Sequence, residues 1–385
     1  MTQVIFTERC DYMKVIAAID SFKGSMTSME AGNAVKKGIL AAKPDAEVWL
    51  SPLADGGEGT VDALIEGLGA EKIPVTVAGP LGEKVSCYYG FLEETKTAVM
   101  EMASAAGITL VTKKDPLRAS TYGVGEMIAD ALKRGCKNFI IGIGGSATND
   151  GGIGMLKALG FEFFDEDGND VGEGAAALAK IEVIQTENKN PLLSGAKFQI
   201  ACDVKNPLCG KQGATYIFGS QKGVPEEQKD QIDEAMRHYA DVTKESLGCD
   251  FADCEGAGAA GGLGYAFLSY LAGELIPGVE LILQATGLEE KMKNADVVVT
   301  GEGRLDAQTV MGKAPVGVAA LAKKYNAKVI AFAGSVAPEA SVCNQAGIDA
   351  FFPIVRGVTT LEEAMKKENA MENIAATAEQ VFRLL

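Results

Sequence analysis

The chain has 385 residues, of which 47% are hydrophobic and 46 are glycine, and its formal net charge is −16. A chain of this length exceeds one ordinary hydrophobic core, so two domains are expected. The acidic excess excludes nucleic acid and anionic membrane surfaces as partners bound through bulk electrostatics.

Cysteine and histidine usage narrows the chemistry further. The eight cysteines form no Cys-x-x-Cys pair, which is typical of free thiols in a reducing cytosol. No apolar signal segment is visible at the N-terminus, so a cytoplasmic protein is expected, with residues 1–12 as an extension. The single histidine, His238, is expected on the surface of an amphipathic helix. Ser-His-Asp hydrolysis and His-ligated zinc are therefore disfavoured, and a general base has to be Asp, Glu or Lys.

The N-terminal elements alternate in the order typical of a parallel sheet. An apolar run at residues 15–19 predicts a buried strand, and Thr27 and Glu30 form a capping box that begins a helix. Residues 48–53 predict the next strand, after which a helix begins near Thr60.

The middle of the chain has a different pattern. Residues 72–77, 84–91 and 96–102 predict strands that are hairpin-like and partly antiparallel. A helix at 123–134, a strand at 139–143 and a helix after Asp150 follow. Residues 198–203 and 214–219 predict further strands, and residues 256–273 predict a buried helix rather than a membrane span.

Near the C-terminus, residues 297–300, 329–333 and 350–354 predict strands that alternate with helices. Together with the first two strands they would form one parallel sheet of five or six strands. The expected fold is α/β: a discontinuous Rossmann-like parallel-sheet domain (13–80 plus 291–385) with a second α/β mixed-sheet domain (81–290) inserted. The site is expected in the cleft between them, at the carboxyl ends of strands.

Three loops combine glycine with carboxylates, each after an apolar run, at residues 52–60, 141–152 and 300–306. Glycine lets backbone N–H groups approach an anion closely. Carboxylates in the same loops would repel a phosphate unless a divalent cation lies between them. The combination therefore predicts phosphoryl transfer.

Each loop has a competing interpretation. Asp55 and Glu58 are candidates for a cation or a sugar-like hydroxyl, or they belong to a tight turn that complements a helix dipole. The spacing Gly142-x-Gly144-x-x-Ala147 also fits a degenerate dinucleotide fingerprint. The polar residues that follow exceed what a dinucleotide turn needs and favour phosphate and metal binding.

Three further segments supply candidate side chains. Lys23 follows the first strand and is a candidate anion ligand, the alternative being a solvated lysine beside a helix cap. Asp203, after another strand, is either a base or part of an Asx-type turn. Arg304 and Lys313 form the strongest basic element, able to clamp a carboxylate or stabilise transferring phosphoryl charge. The sequence contains neither a P-loop nor protein-kinase motifs.

With these motifs the chain resembles type I glycerate kinases. The resemblance runs from about Met13 to the C-terminus, and the segments that carry it are DSFKGS (20–25), PLADGGEGT (52–60), GIGGSATNDGG (142–152), ACDVKNPLCG (201–210) and TGEGRLDAQT (300–309). It implies a two-domain fold and phosphorylation of D-glycerate with ATP and Mg²⁺, in bacteria usually at the 2-hydroxyl. Phosphorylation at the 3-hydroxyl is the alternative.

The roles expected in such a reaction divide the candidates into three groups. In catalysis, a base accepts the hydroxyl proton (Asp203 or Asp306) and a basic group meets the carboxylate (Arg304 first, Lys23 second). The residues expected to bind ATP are Gly144, Gly145, Ser146, Asn149 and Lys313. The residues expected to hold Mg²⁺ are Asp55, Glu58 and Asp150. Closure of the domains would exclude water.

Two other classes of function stay open. A nicotinamide-dependent oxidoreductase would use the loop at Gly142, and a non-catalytic sensor would bind a small sugar acid without consuming ATP. The sequence does not decide which hydroxyl is phosphorylated, which lobe takes the nucleotide, or whether the chain forms a homodimer.

Overall fold

The computed structural model describes residues 12–53 and 60–385. The extension predicted at residues 1–12, apart from Tyr12, lies outside the described residues, and so do Asp55 and Glu58. The strands are β1 (Lys14–Ile19), β2 (Glu47–Pro52), β3 (Glu71–Ala78), β4 (Lys84–Leu92), β5 (Thr97–Glu101), β6 (Asn138–Gly142), β7 (Glu162–Phe164), β8 (Val183–Gln185), β9 (Lys197–Ala201), β10 (Glu274–Ile276), β11 (Val297–Leu305), β12 (Lys328–Val336) and β13 (Ala350–Pro353).

The α-helices are α1 (Ser28–Ala42), α2 (Thr60–Leu68), α3 (Ala103–Ala106), α4 (Tyr122–Lys133), α5 (Ile153–Ala158), α6 (Ala175–Leu178), α7 (Ala214–Lys222), α8 (Lys229–Leu247), α9 (Leu263–Leu271), α10 (Gly278–Ala285), α11 (Leu288–Met292), α12 (Ala314–Lys323), α13 (Val342–Gln345), α14 (Leu361–Met365) and α15 (Lys367–Phe382). The chain divides into two compact units, residues 1–55 with 283–385 and residues 56–282. The sequence predicts the junctions near residues 80 and 290. In the structure β3, which ends before residue 80, pairs with β4 and so belongs to the sheet of the second unit.

The first unit is built on a five-stranded sheet in the order β13-β12-β11-β1-β2. All of its strand pairs are parallel, which confirms the predicted sheet. Alternate residues of β1 (Val15, Ala17 and Ile19) pack with α1 and α15 in one hydrophobic cluster. The residues between them are also buried, and α12 packs on β11 and β12. Burial on both faces explains why the central strands β1, β11 and β12 are largely continuous apolar runs.

The N-terminus of α1 fixes the ends of the first two strands. The predicted capping box is confirmed, since Thr27 accepts from the Glu30 N–H and Glu30 accepts from the Thr27 N–H. The Ser28 hydroxyl donates to the Ile19 carbonyl at 2.6 Å and accepts from the Leu53 N–H at 3.0 Å. One buried hydroxyl thus ties the carboxyl ends of β1 and β2 to the helix.

The second unit contains a six-stranded sheet in the order β10-β9-β6-β5-β4-β3. Strands β3, β4 and β5 pair antiparallel, whereas β5, β6, β9 and β10 pair parallel, which confirms the predicted mixed sheet. Phe139 and Phe198 stack across β6 and β9 with ring centroids 4.7 Å apart. His238 lies on α8, partly exposed as expected, with Nε2 at 2.8 Å from the Ile181 carbonyl oxygen.

The strand predicted at residues 214–219 is wrong, because this segment forms α7. Its β-branched and aromatic residues favour a strand locally, but tertiary contacts override that preference. In the helix, Thr215 is buried and accepts from Asn149 Nδ2 at 3.0 Å. Residues 256–273 contain the expected buried helix as α9. Among the described helices, none is both long and apolar enough to cross a lipid bilayer.

Candidate active site

A pocket of about 570 Å³ lies within the first unit at the carboxyl ends of its parallel strands. It is lined by residues that follow or end β1, β11, β12 and β13, and by residues of α14 and α15. The chain passes from β1 to β2 on one side and returns to β11 on the other, so the pocket includes the point where the strand order reverses. Open α/β sheets bind ligands at such switch points.

A buried carboxylate forms one wall of the pocket. Glu302 is 8% exposed, and its two oxygens accept from Thr309 Oγ1 at 2.7 Å and from Lys313 Nζ at 3.1 Å. Burial raises the pKa of the Glu302 carboxyl, while the hydrogen bond from Thr309 and the charge of Lys313 oppose that rise. The pair fixes the Lys313 ammonium in the pocket, where it can meet an anion.

A second pair of opposite charges lies two residues further along. Arg304 Nε is 3.5 Å from Asp306 Oδ2, and the other oxygen of Asp306 accepts from the Gln308 N–H at 2.9 Å. The side chain of Arg304 is 66% exposed and that of Asp306 is 17% exposed. The carboxylate is therefore held by its loop, while the guanidinium extends into solvent and can accept a ligand.

The loop after β1 supplies further polar groups. Asp20 donates its N–H to the Gly301 carbonyl at 2.9 Å, which joins the ends of β1 and β11, and Asp20 Oδ1 accepts from the Ser21 N–H at 2.6 Å. Lys23 is exposed and lines the same pocket. Gly334 also lines it, where a Cβ would lie 2.6 Å from the Gly303 carbonyl oxygen, so only glycine fits between these strands.

Part of the pocket wall is apolar. Val355, Leu361 and Met365 line it and are 36%, 76% and 38% exposed. A Cβ on Gly24 would lie 3.1 Å from Met365 Cε, so Met365 packs beside the loop that follows β1. We refer to Val355, Leu361 and Met365 as the apolar rim.

In the second unit, the loop after β6 is held from inside. Asp150 is buried, and its carboxylate accepts from the N–H and Oγ1 of Thr121, both at 2.8 Å, and from the N–H groups of Gly152 and Gly154 at 3.0 and 3.3 Å. Burial raises the pKa of Asp150, and these hydrogen bonds oppose the rise. Asp150 therefore organises the loop, and its role as a metal ligand stays a prediction.

The outer part of this loop is open. Gly144 and Gly145 are exposed, Gly145 with φ of +74°, whereas Ser146 and Asn149 are buried. Asp203 follows β9, the neighbour of β6, and its Oδ1 accepts from the Gly278 N–H at 2.9 Å. Asp203 and the glycine loop thus follow adjacent parallel strands at the same edge of the sheet.

The structure brings the predicted residues together in two sets. The first set shares the pocket of the first unit: Lys23, Arg304, Asp306 and Lys313. The second set follows β6 and β9 in the second unit: Gly144, Gly145, Ser146, Asn149, Asp150 and Asp203. Glu302 was not among the predicted site residues; its signal was a carboxylate that continues a strand of buried residues. Asn373 and Lys222 carried no signal in the sequence pattern.

Two features of the pocket fit ATP and Mg²⁺. Asp20 provides carboxylate oxygens, which Mg²⁺ prefers, and Mg²⁺ usually needs only one or two carboxylates besides phosphates and water. Within the described residues no group of three or more His, Cys, Asp or Glu side chains could hold a metal ion. The pocket also joins cationic side chains to an apolar rim, as a nucleotide requires.

Comparison with known proteins identifies the family of the chain. The model of the "Glycerate kinase family" matches residues 15–385. A Bacillus subtilis protein named glycerate kinase is 45% identical over 96% of this chain and 97% of its own length. The Escherichia coli K12 glycerate 2-kinase is 45% identical over 95% of this chain and 98% of its own length.

A solved structure from Salmonella typhimurium LT2, provisionally assigned as glycerate kinase 2, superposes with a TM-score of 0.89 at 42% identity and covers 97% of this chain and 98% of that one. The similarity extends over both units rather than over single motifs. The chain therefore belongs to the glycerate kinase family.

Proposed function

We propose that the protein transfers the γ-phosphoryl group of ATP to the 2-hydroxyl of D-glycerate and so forms 2-phosphoglycerate. The observation that carries this proposal is the 3.5 Å separation of Arg304 Nε and Asp306 Oδ2 within one pocket. In a 2-hydroxy acid the carboxylate and the hydroxyl are on adjacent carbons. A cation and a base this close can meet both groups at once, whereas the 3-hydroxyl lies one carbon further away.

Each charged residue of the pocket then has a role. Arg304 binds the glycerate carboxylate, with Lys23 as the second cation near it. The glycerate 2-oxygen attacks the γ-phosphorus, the bond from that phosphorus to the ADP oxygen breaks, and the hydroxyl proton passes to Asp306. Asp203 is the alternative base, although its Oδ1 accepts from the Gly278 N–H.

The nucleotide phosphates need cations and backbone donors. Lys313, held by the buried carboxylate of Glu302, meets the phosphates in the pocket. In the second unit, the loop after β6 with Gly144, Gly145, Ser146 and Asn149 stays a prediction as an ATP-binding loop, supported by its exposed glycines and by the fixed position of its inner residues.

Bound Mg²⁺ would neutralise phosphate charge. The candidate to hold it in the pocket is Asp20, and Asp55, Glu58 and Asp150 are the candidates from the sequence. The compartment we propose is the cytoplasm, since the cysteines of the described residues are free thiols. A homodimer stays a prediction, as does the absence of nucleic-acid and membrane partners.

The test is to incubate the protein with ATP, Mg²⁺ and D-glycerate and to identify the product by ³¹P NMR against authentic 2- and 3-phosphoglycerate. We expect ADP release that depends on glycerate, together with the 2-phosphoglycerate resonance. A 3-phosphoglycerate resonance would select the 3-kinase alternative. Glycerate-dependent oxidation or reduction of a nicotinamide cofactor without ADP release would overturn the proposal in favour of an oxidoreductase.

A further inference from the structure

We propose that the apolar rim and Asn373 form the binding site for the adenine base of ATP, so that the first unit selects the nucleotide. This inference rests on the proposed function, because it locates one part of the same substrate. It assigns a role to residues that the phosphoryl-transfer scheme leaves unused.

The volume of the pocket leaves room for an occupant larger than glycerate. At about 570 Å³ the pocket falls within the range of about 300–1,000 Å³ that encloses drug-sized ligands. A three-carbon acid held by Arg304 and Asp306 would occupy only a small part of it. The remaining space suits a second, larger substrate.

The polarity of the pocket changes along the sheet edge. Its charged residues follow or end β1 and β11, in the middle of the sheet, whereas Val355 follows β13 at the edge and Met365 packs beside Gly24 in the loop after β1. Neighbouring strands are about 4.8 Å apart, so the distance from β1 to β13, and to Val355, is roughly 14 Å. A ligand with an anionic part and an aromatic part matches these charged and apolar surfaces.

The apolar rim is unusual in its exposure. Leu361 is 76% exposed, and Val358, three residues earlier, is fully exposed although it does not line the pocket. Isolated apolar side chains on a surface are common, but a group of them at the mouth of a polar pocket marks a binding surface. The planar faces of adenine would cover Leu361 and Met365 and remove them from water.

Asn373 provides the specificity. Asn373 lies on α15, lines the pocket and is half-buried. Among the described residues, nothing hydrogen-bonds to its side-chain amide, and only its backbone carbonyl accepts from Thr377 Oγ1 outside the helix ladder. An amide presents one donor and one acceptor, which is the pair that complements N7 and the N6 amino group of adenine. Guanine presents an acceptor oxygen at the position of N6 and would be rejected.

The first experiment measures binding without catalysis. ADP and inorganic tripolyphosphate are titrated by calorimetry into the wild-type protein and into Asn373→Leu and Leu361→Asp variants. We expect both variants to weaken ADP binding by about ten-fold, because Asn373→Leu loses a bidentate contact to adenine and Leu361→Asp loses apolar surface that the base would cover. Tripolyphosphate affinity should stay within two-fold of wild type, since the probe carries no base (roughly the scatter expected of a remote substitution).

Leu192→Asp is the matched control, because Leu192 is also an exposed leucine (40%) but belongs to the second unit. It should leave the affinity for ADP unchanged. Unchanged ADP binding in both Asn373→Leu and Leu361→Asp, or an equal loss of ADP and tripolyphosphate affinity, would overturn the assignment of the adenine site.

The second experiment compares ATP with GTP as phosphoryl donors for glycerate. Asn373→Leu should reduce the ratio of kcat/KM values for ATP over GTP toward one. If wild-type protein phosphorylates glycerate and the variant keeps the full preference for ATP, the adenine assignment fails and the kinase function stands. If no glycerate is phosphorylated, the proposed function fails, and the ADP titration still decides whether the site exists.

Discussion

Lys222 Nζ donates a hydrogen bond of 2.7 Å to the carbonyl oxygen of Thr148, inside the loop that follows β6. Lys222 is 2% exposed and stands seven residues after Thr215 on α7, so the two side chains lie on one face of the helix, two turns apart. Thr215 accepts from the amide of Asn149. One helix face therefore holds two consecutive residues of the candidate phosphate loop.

This buried lysine gives stability a specific dependence on pH. Burial lowers the pKa of Lys222 to about 7, while the nearby charge of Asp150 opposes the fall. Unfolded lysine titrates near pH 10.4, so between about pH 7 and pH 10 the unfolded state binds a proton that the folded state does not. The free energy of unfolding should therefore rise with pH in this window, by at most about 1.4 kcal/mol per pH unit from this group.

Lys222→Met removes that contribution. Between about pH 7 and pH 9, urea unfolding should show that the free energy of unfolding of the wild type increases relative to that of the variant as the pH rises. Lys180→Met, at an exposed lysine of the same unit, is the control for removing an ammonium group from the surface. A difference for Lys222→Met that stays constant with pH would mean that the buried amine keeps an ordinary pKa.

Removal of the Arg304 guanidinium should impair the reaction without affecting folding. Arg304→Ala should lower kcat/KM for D-glycerate by about 100-fold or more, because a charged hydrogen bond to the substrate is lost at the reacting end. Arg304→Lys should restore only part of this, since an ammonium cannot make the bidentate contact. The measurement is glycerate-dependent ADP release, together with the midpoint of urea unfolding.

Lys324→Ala is the control for Arg304→Ala. Lys324 lies at the other end of α12 from Lys313, and its side chain is 66% exposed. Its removal should leave both kcat/KM and stability near wild type. Near-normal activity of Arg304→Ala would remove Arg304 from the proposed mechanism.

The Glu302–Lys313 pair should separate stability from activity. Lys313→Met leaves the buried Glu302 carboxylate without its cation and should lower the free energy of unfolding by about 1–3 kcal/mol. Adding Glu302→Gln should recover most of that stability, because the neutral amide needs no counter-charge.

Lys313→Met should also weaken tripolyphosphate binding, and the double variant should bind tripolyphosphate as weakly as Lys313→Met does. Urea unfolding measures the stability of both variants, and calorimetric titration with tripolyphosphate measures their phosphate affinity. Recovery of phosphate binding in the double variant would show that Lys313 is only a partner for Glu302 and does not contact the nucleotide.

Sequence patterns predicted what depends on local periodicity. The three central strands β1, β11 and β12 were readable because burial on both faces demands continuous apolar runs, as at residues 15–19. The segment 214–219 was misread because its helix depends on Thr215 and Lys222 reaching a loop more than sixty residues away in sequence, which no local window contains. The roles of Glu302 and Asn373 also depend on burial and on pocket lining, which the pattern of residue types does not reveal.

Gly261 packs closely against the Thr148 carbonyl oxygen in the loop after β6, and a matched pair of alanine substitutions can test this contact. Gly261 has φ of +70°, and a Cβ there would lie 2.2 Å from the Thr148 carbonyl oxygen. Gly168 has φ of +79° with nothing within 4 Å of its Cβ position. Alanine at Gly168 should cost about 1 kcal/mol, the strain of a left-handed backbone alone. Alanine at Gly261 adds a clash with backbone that cannot rotate away, so urea unfolding should show a loss of stability greater by about 2 kcal/mol or more.

Because the clash displaces the carbonyl that Lys222 binds, we also expect Gly261→Ala, unlike Gly168→Ala, to raise the KM for ATP. Equal losses of stability in the two variants would mean that the loop shifts freely, and that neither Gly261 nor α7 fixes its position.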